Sequence, residues 1–453
     1  MILHFENVIE AAQQCCLNAG LQATVKDITI IRDVHGRIRV YLEPLLPGKP
    51  VDTAVISTLE AALRASLGAY CALEHPVWQP QAKVDAFAVL HRQILDGRTA
   101  LEPDTTPAFY LLERHIAKQT WTTRQPQQPP WPRTLVEQKH KPAIVSFFSF
   151  KGGSGRTSAL IATAITMARA GLRVAVCDLD LEAPGLATLL FPEPPAGPGV
   201  VDYLLEQPIH GDDWKLRTQL LRFNESMVLG EAGETLQLLP AGTVNEHYLE
   251  KLARLDFQSF AKPGSNETLR TMLAELQVAE GPLDFILLDA RAGFHDIGGL
   301  AISELSHCTV LFGTHTRQNW AGLTRVVSLL AQRREPQPIV LVHTMAPPLS
   351  APGRELELRL FRATAYDLFK EHYYSTEEEV PNQNDDQAPF WPVVIPWNDN
   401  LRGDLTLAPR SSEPEEGARL AALLGIMTTG PYRDLSDRLC KLHGRDLRQS
   451  ETR

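Results

Sequence analysis

The sequence predicts an α/β fold: a doubly wound, mostly parallel sheet, preceded by a smaller α+β domain. Three observations predict it. Residues 143–150 form a β-branched and aromatic run that reads as a buried parallel strand. A glycine-rich turn and a helical pattern follow, and 173–177 returns as a second strand. From there to 424, short apolar runs alternate with helical stretches, the pattern of strands that all run one way. At 453 residues the chain also exceeds what one core of about 250–300 residues holds, so two or more domains are expected.

Residues 1–124 read as the smaller domain. Helices are expected over 6–19, 53–69, 83–95 and 107–119, with a β-hairpin from 28–32 and 37–42 across Asp33-Val-His-Gly36. No catalytic constellation is present there. Its expected use is recognition of a partner, a ligand or the rest of the chain. Residues 125–141 hold a proline-rich run, QPQQPPWP, that reads as a semi-rigid linker. The main domain is expected over 142–430. Its strands are placed at 143–150, 173–177, 236–239, 283–289, 309–312, 339–343 and 392–395. Its helices are placed at 200–207, 245–260, 267–278, 319–332, 354–371 and 414–424. Residues 431–453 read as a tail with a sparse leucine stripe that could cap a partner helix.

Composition narrows the function. The 44% hydrophobic and 22% charged content suits a soluble globular protein. A net charge of −10 argues against a surface built mainly to neutralise duplex DNA. Cys15, Cys16, Cys71, Cys177, Cys308 and Cys440 lack metal or disulfide spacing and read as reduced thiols. No apolar run reaches the roughly 18 residues of a membrane span, and the first residues carry acids where a secretory signal needs a basic segment. A cytoplasmic protein is expected.

The chemistry is concentrated in the turn Lys151-Gly152-Gly153-Ser154-Gly155-Arg156-Thr157-Ser158. Glycines let backbone N–H groups approach an anion without Cβ atoms in the way, and the helix they open adds unsatisfied donors and a positive dipole end. Thr157 stands where a hydroxyl can ligate Mg²⁺, and Arg156 where a cation can reach outer phosphates. Downstream, Leu283-Asp-Phe-Ile-Leu-Leu-Asp289-Ala-Arg-Ala-Gly293 is a hydrophobic strand ending in an aspartate. A carboxylate at that edge can meet the Mg²⁺ shell, and the Gly293 amide can follow a γ-phosphate.

The loop resembles the deviant Walker A motif, KGGxGK[ST], of the ParA/MinD-like P-loop ATPases, and Asp289 with Gly293 matches that family's DxxxG. Asp178 and Asp180, in Asp178-Leu-Asp-Leu-Glu-Ala-Pro-Gly-Leu186, match its carboxylate pair. With arginine at 156 the chain is similar to a KGGxGR[ST]/DLEAPGL subgroup of multidomain bacterial proteins, some from conflict or signalling settings. The resemblance implies a P-loop NTPase domain with ATP and Mg²⁺ as cofactors. Amides of Gly153 to Thr157 would hold the β-phosphate, with Gly152 and Ser158 completing the loop. Thr157 would ligate Mg²⁺, with Asp289 in its outer shell. Lys151 would reach the nucleotide of a second subunit in an ATP-dependent homodimer, Asp180 would orient the attacking water, and Asp178 would support Mg²⁺ or the switch.

Arg156 departs from the lysine of most of the family, and a planar fork at a crowded phosphate is compatible with binding and with slow turnover. Two readings follow: an ATP-driven dimerisation switch that signals through the first domain, and a nucleotide-locked scaffold that barely hydrolyses. A tyrosine kinase is disfavoured because the tail holds only Tyr432. DNA partitioning is disfavoured by the acidic balance, although Arg317, Arg325, Arg333 and Arg334 surround one helix.

Overall fold

A computed structural model of the full chain describes residues 3–447 except 47, 81–84, 103, 123–127, 257–266, 333–334, 404 and 412. Arg333 and Arg334, the start of the helix expected from 83, the end of that expected to 260, and residues 125–127 and 448–453 therefore lie outside the described residues. The chain forms two compact units, Met1–Ile116 and Ala117–Arg453.

The first unit is built on five strands: β1 (Val25–Arg32), β2 (Ile38–Pro44), β3 (Val77–Trp78), β4 (Thr99–Glu102) and β5 (Ala108–Glu113), in the order β3-β2-β1-β5-β4. The hairpin β1–β2 is antiparallel, as expected, with Ile30 opposite Val40. Helices Val8–Asn18 and Thr53–Leu67 bury Val8, Ala12, Leu59 and Leu63 against it. The helix expected over 107–119 is instead β5, which runs parallel to β1 with Phe109 beside Ile28 and Leu111 beside Ile30. Its two leucines favour a helix locally, but a central strand that buries Phe109 and Leu111 on one face wins.

The second unit carries eight strands: β6 (Ala143–Ser149), β7 (Val174–Leu179), β8 (Leu221–Phe223), β9 (Leu236–Leu239), β10 (Phe285–Ala290), β11 (Cys308–Gly313), β12 (Ile339–Ala346) and β13 (Val393–Pro396). Their order is β13-β12-β11-β6-β10-β7-β9-β8, and all pairs are parallel except β8–β9. Every residue of β6, β7, β10 and β11 is buried, as in a sheet covered on both faces. From β6 the chain crosses over β10 to β7, whereas from β10 it crosses back over β6 to β11. Right-handed crossovers in opposite directions put the connecting helices on opposite faces and open a crevice at the C-terminal strand ends. The fold is thus a doubly wound α/β sheet.

Two stretches read as peripheral belong to this unit's core. In 128–141, Trp131 and Val136 are buried, the Trp131 indole donates to the Pro142 carbonyl (2.8 Å), and Arg270 donates to the Gln128 and Pro129 carbonyls (2.6 and 3.0 Å). Pro132 is extended before a short helix, Arg133–Glu137, and an indole in a pocket turns an expected spacer into packed structure. The helix Gly430–Leu442 lies along Arg156–Arg169 and buries Tyr432, Leu435, Leu439 and Cys440, so its apolar stripe is satisfied within the chain. The helix expected over 245–260 is shorter, Glu246–Leu252. All six cysteines are free and buried, and among the described residues no helix is long and apolar enough to cross a membrane.

Candidate phosphate-binding site

The glycine loop leaves β6 and feeds the helix Arg156–Arg169. Gly153 and Gly155 both hold φ +73, a left-handed conformation that disfavours side chains, and a Cβ added at Gly152 or Gly153 would meet nothing within 4 Å. The loop therefore faces open space with its backbone. Gly155 at the N-cap supplies no side-chain cap, so the first amides of the helix are aimed into the same concavity. Across it, the Thr344 hydroxyl donates to the Ser154 carbonyl (2.6 Å) and fixes the loop. The Ser154 hydroxyl is buried and has no hydrogen-bond partner among the described residues. Lys151 is exposed at the start of the loop and Ser158 is half-buried in the first turn of the helix.

Three carboxylates converge on this edge. Parallel pairing puts Asp289 directly beside Asp178 at the ends of β10 and β7. Both are almost fully buried, and Asp180 nearly so. The Thr157 hydroxyl donates to Asp289 Oδ2 (2.7 Å), and Arg156 donates through Nε to Asp289 Oδ1 (2.5 Å) and through Nη2 to Asp180 Oδ2 (2.9 Å). Arg156 is thus not turned toward the loop, as its sequence position suggests, but bridges two carboxylates. A guanidinium does this with separate nitrogens in a fixed planar fork, whereas an ammonium would act as a single point charge. Burial alone would lower the Arg156 pKa; Asp289 and Asp180 outweigh it and hold the group above its usual value.

Asp178, expected to support Mg²⁺ or the switch, is held by backbone amides. Its carboxylate accepts from the amides of Asp180, Gly185 and Leu186, each at 3.1 Å, and so shapes the 180–186 turn. Burial, then the neighbouring charge of Asp289, raises its pKa above the ordinary range, and those amides offset only part of the rise. The Asp289 pKa is also raised by burial, with Arg156 and Thr157 opposing. Gly293 is left-handed (φ +74), and its amide, expected near a γ-phosphate, donates to the Ser149 carbonyl (3.1 Å).

Sequence reasoning missed the outer half of the cluster. Arg291 donates to Asp180 Oδ1 (2.7 Å) and to Glu182 Oε2 (2.9 Å), and His295 Nε2 lies 2.7 Å from Glu182 Oε1. Arg291 and Glu182 both sit inside quoted motifs, but no spacing rule joins charges 109 residues apart. From β12, Thr344 reaches the glycine loop, whereas the adjacent His343 is buried and stacked on Phe361 (3.9 Å between rings).

The donor set fits a phosphate chain with a divalent cation. Asp180, Asp289 and Glu182 pair with the guanidinium groups of Arg156 and Arg291, and Asp178 lies beside Asp289, so four carboxylates meet two cations and an added cation is favoured. Among the described residues no group of three or more His, Cys, Asp or Glu side chains is set to hold a metal. Mg²⁺ would take one or two protein oxygens here and complete its shell with phosphates and water.

These features define a class: an α/β domain with an open glycine loop at the switch point of a parallel sheet. No protein-family model matches the chain, and no curated protein does. Solved structures similar to it include the septum site-determining protein MinD complexed with Mg-ADP from Pyrococcus horikoshii OT3, at 18% identity over 67% of this chain and 98% of that one, TM-score 0.43. A ParA family ATPase from Chlorobium tepidum TLS is similar at 15% identity over 65% and 98%, TM-score 0.39. A putative plasmid partition protein from Borrelia burgdorferi B31 bound to AMPPNP is similar at 14% over 62% and 98%, TM-score 0.40. At such identities and TM-scores these likenesses add no weight to what the sheet order and the loop already establish.

Proposed function

We propose that the chain is an ATP-binding, Mg²⁺-dependent ATPase of the ParA/MinD-like kind, acting as a nucleotide-controlled dimerisation switch that signals to a partner, in a bacterial conflict, defence or signalling system. One observation carries this reading: the Thr157 hydroxyl and the Arg156 guanidinium both rest on Asp289 at the rim of an open, left-handed glycine loop. Phosphoryl transfer needs positioning and charge neutralisation more than covalent chemistry, and bound Mg²⁺ would supply that neutralisation. The amides of Gly153 to Thr157 bind the phosphates, and Thr157 holds the metal with Asp289 behind it. Asp180, the least buried of the three aspartates, orients water. Lys151, exposed at the loop's start, is free to reach a second copy of the chain. Residues 1–116 carry the signal to a protein partner.

A second reading is favoured by a specific observation. Arg156 is held by two buried carboxylates, which suits a scaffold that binds nucleotide and barely hydrolyses it. ATP turnover measured alongside light scattering separates the two. The switch requires turnover and an ATP-dependent doubling in mass, both lost in Lys151→Ala. Tight binding with neither selects the scaffold. No binding at all contradicts both.

A further inference from the structure

The charged cluster does not stop at the phosphate loop. It continues as a ladder of alternating sign from Asp289 through Arg156, Asp180 and Arg291 to Glu182, whose Oε1 lies 2.7 Å from His295 Nε2. At His295 it meets residues 117–122, the piece of the second unit that directly follows the first in the chain. The Trp121 indole donates to the His295 carbonyl (2.8 Å), and the Lys118 amide donates to Asp296 Oδ1 (2.6 Å). Lys118 holds φ +69, a left-handed conformation unusual for a side-chain-bearing residue, so Asp296 fixes the chain in a form it would not adopt freely. Trp121 also packs edge-on against Phe294 (5.0 Å), which in turn lies 5.0 Å from Phe150 at the end of β6.

We infer that residues 117–122 are a coupling segment: the ladder makes their docking on residues 293–299 depend on what the phosphate loop holds. Arg156 has Nε and one terminal nitrogen committed to Asp289 and Asp180. Recruiting it to a phosphate loosens its hold on Asp180, which shifts Arg291, and through Glu182 the His295 turn against which Trp121 rests. The turn has a pivot in left-handed Gly293, whose amide is bonded to the end of β6. A ligand that draws on Arg156 therefore distinguishes two arrangements of this segment, as any ligand-driven shift requires. The inference rests on the nucleotide reading above and adds where its signal leaves the domain.

Hydrogen–deuterium exchange of the full chain, with and without Mg-ATP or Mg-ADP, tests it. Protection at 152–158 together with altered exchange at 117–122 is the expected result. Linkage demands the converse. Gly299→Ala puts a Cβ 2.4 Å from Thr120 Oγ1 and 2.9 Å from the Trp121 indole, so it should push the segment off and change nucleotide affinity by about fivefold or more. Trp121→Phe, which removes only the indole donor and part of the ring, serves should Gly299→Ala misfold, and should shift affinity in the same direction. Protection at 152–158 with unchanged exchange at 117–122, or undocking with unchanged affinity, overturns the coupling and leaves the nucleotide reading intact. No protection at 152–158 overturns the nucleotide reading and the coupling with it.

Discussion

The two sheets each contain an arginine fork clamped between two acids, and they use it differently. In the first unit Arg98 donates to Asp27 (2.8 Å) and to the Thr29 hydroxyl (3.2 Å), lies 3.7 Å from Glu43, and rests on the Tyr110 ring. In the second, Arg156 joins Asp289 and Asp180 beside an open glycine loop. Mixed strand directions in the five-stranded sheet divide the loops between its two ends. The mostly parallel eight-stranded sheet sends the C-terminal ends of β6, β7 and β10 to one edge, so a loop and three carboxylates meet. The lesson is topological: the same ionic motif is architecture on one sheet and site on the other because parallel strands converge what mixed strands disperse.

The largest test of that contrast is truncation of each fork. Arg156→Ala leaves Asp289 and Asp180 buried without a cation and should cost about 3–5 kcal/mol. Arg98→Ala, whose partners are less deeply buried, should cost about 1–3 kcal/mol. Urea unfolding of the two variants checks the ranking, and equal losses would dissolve the contrast. Next in size are the glycines. A Cβ at Gly322 would stand 2.1 Å from the Phe150 ring, so Gly322→Ala should destabilise the second unit by about 1–3 kcal/mol.

Smaller per pH unit, though comparable in total, is the effect of pH. Burial, aided by His307 and nearby arginines, lowers the His443 pKa to about 3. The unfolded chain takes up its proton near pH 6.5 while the folded chain does not. Stability should therefore fall as pH drops below about 6.5, by roughly 1.4 kcal/mol per unit, and level off near 3. Unfolding of His443→Leu across that range should show a shallower slope than wild type. Smallest in stability, yet most telling for function, is Gly152→Ala. Open space there predicts a change within about 0.5 kcal/mol, with nucleotide affinity falling about tenfold as the methyl group intrudes on the phosphates.

Much of the second unit was legible because a parallel sheet writes itself plainly. Its strands are short apolar runs, and Asp178 and Asp289 mark two of their ends. That both lie at C-terminal strand edges was legible; that they sit side by side is set by the pairing of β10 with β7. What pairs with them was not legible: Arg291, Glu182 and His295 meet only through the packing of two separate turns. The strand β5 was hidden because Ala108–Glu113 is helix-compatible until β1 lies beside it. Trp131 and the stripe of Tyr432, Leu435 and Leu439 were misplaced for the converse reason. Their surroundings in sequence are proline-rich or polar, and only the fold supplies the pocket.

The central claim is that the loop from Lys151 to Ser158 holds a nucleoside triphosphate with Mg²⁺. Isothermal titration of ATP into the wild type and Thr157→Val, with and without Mg²⁺, tests it most directly. The account predicts binding by the wild type that weakens about tenfold or more without Mg²⁺, and a similar loss in Thr157→Val, whose fold should be kept. No binding, or binding indifferent to both the metal and the hydroxyl, would contradict it.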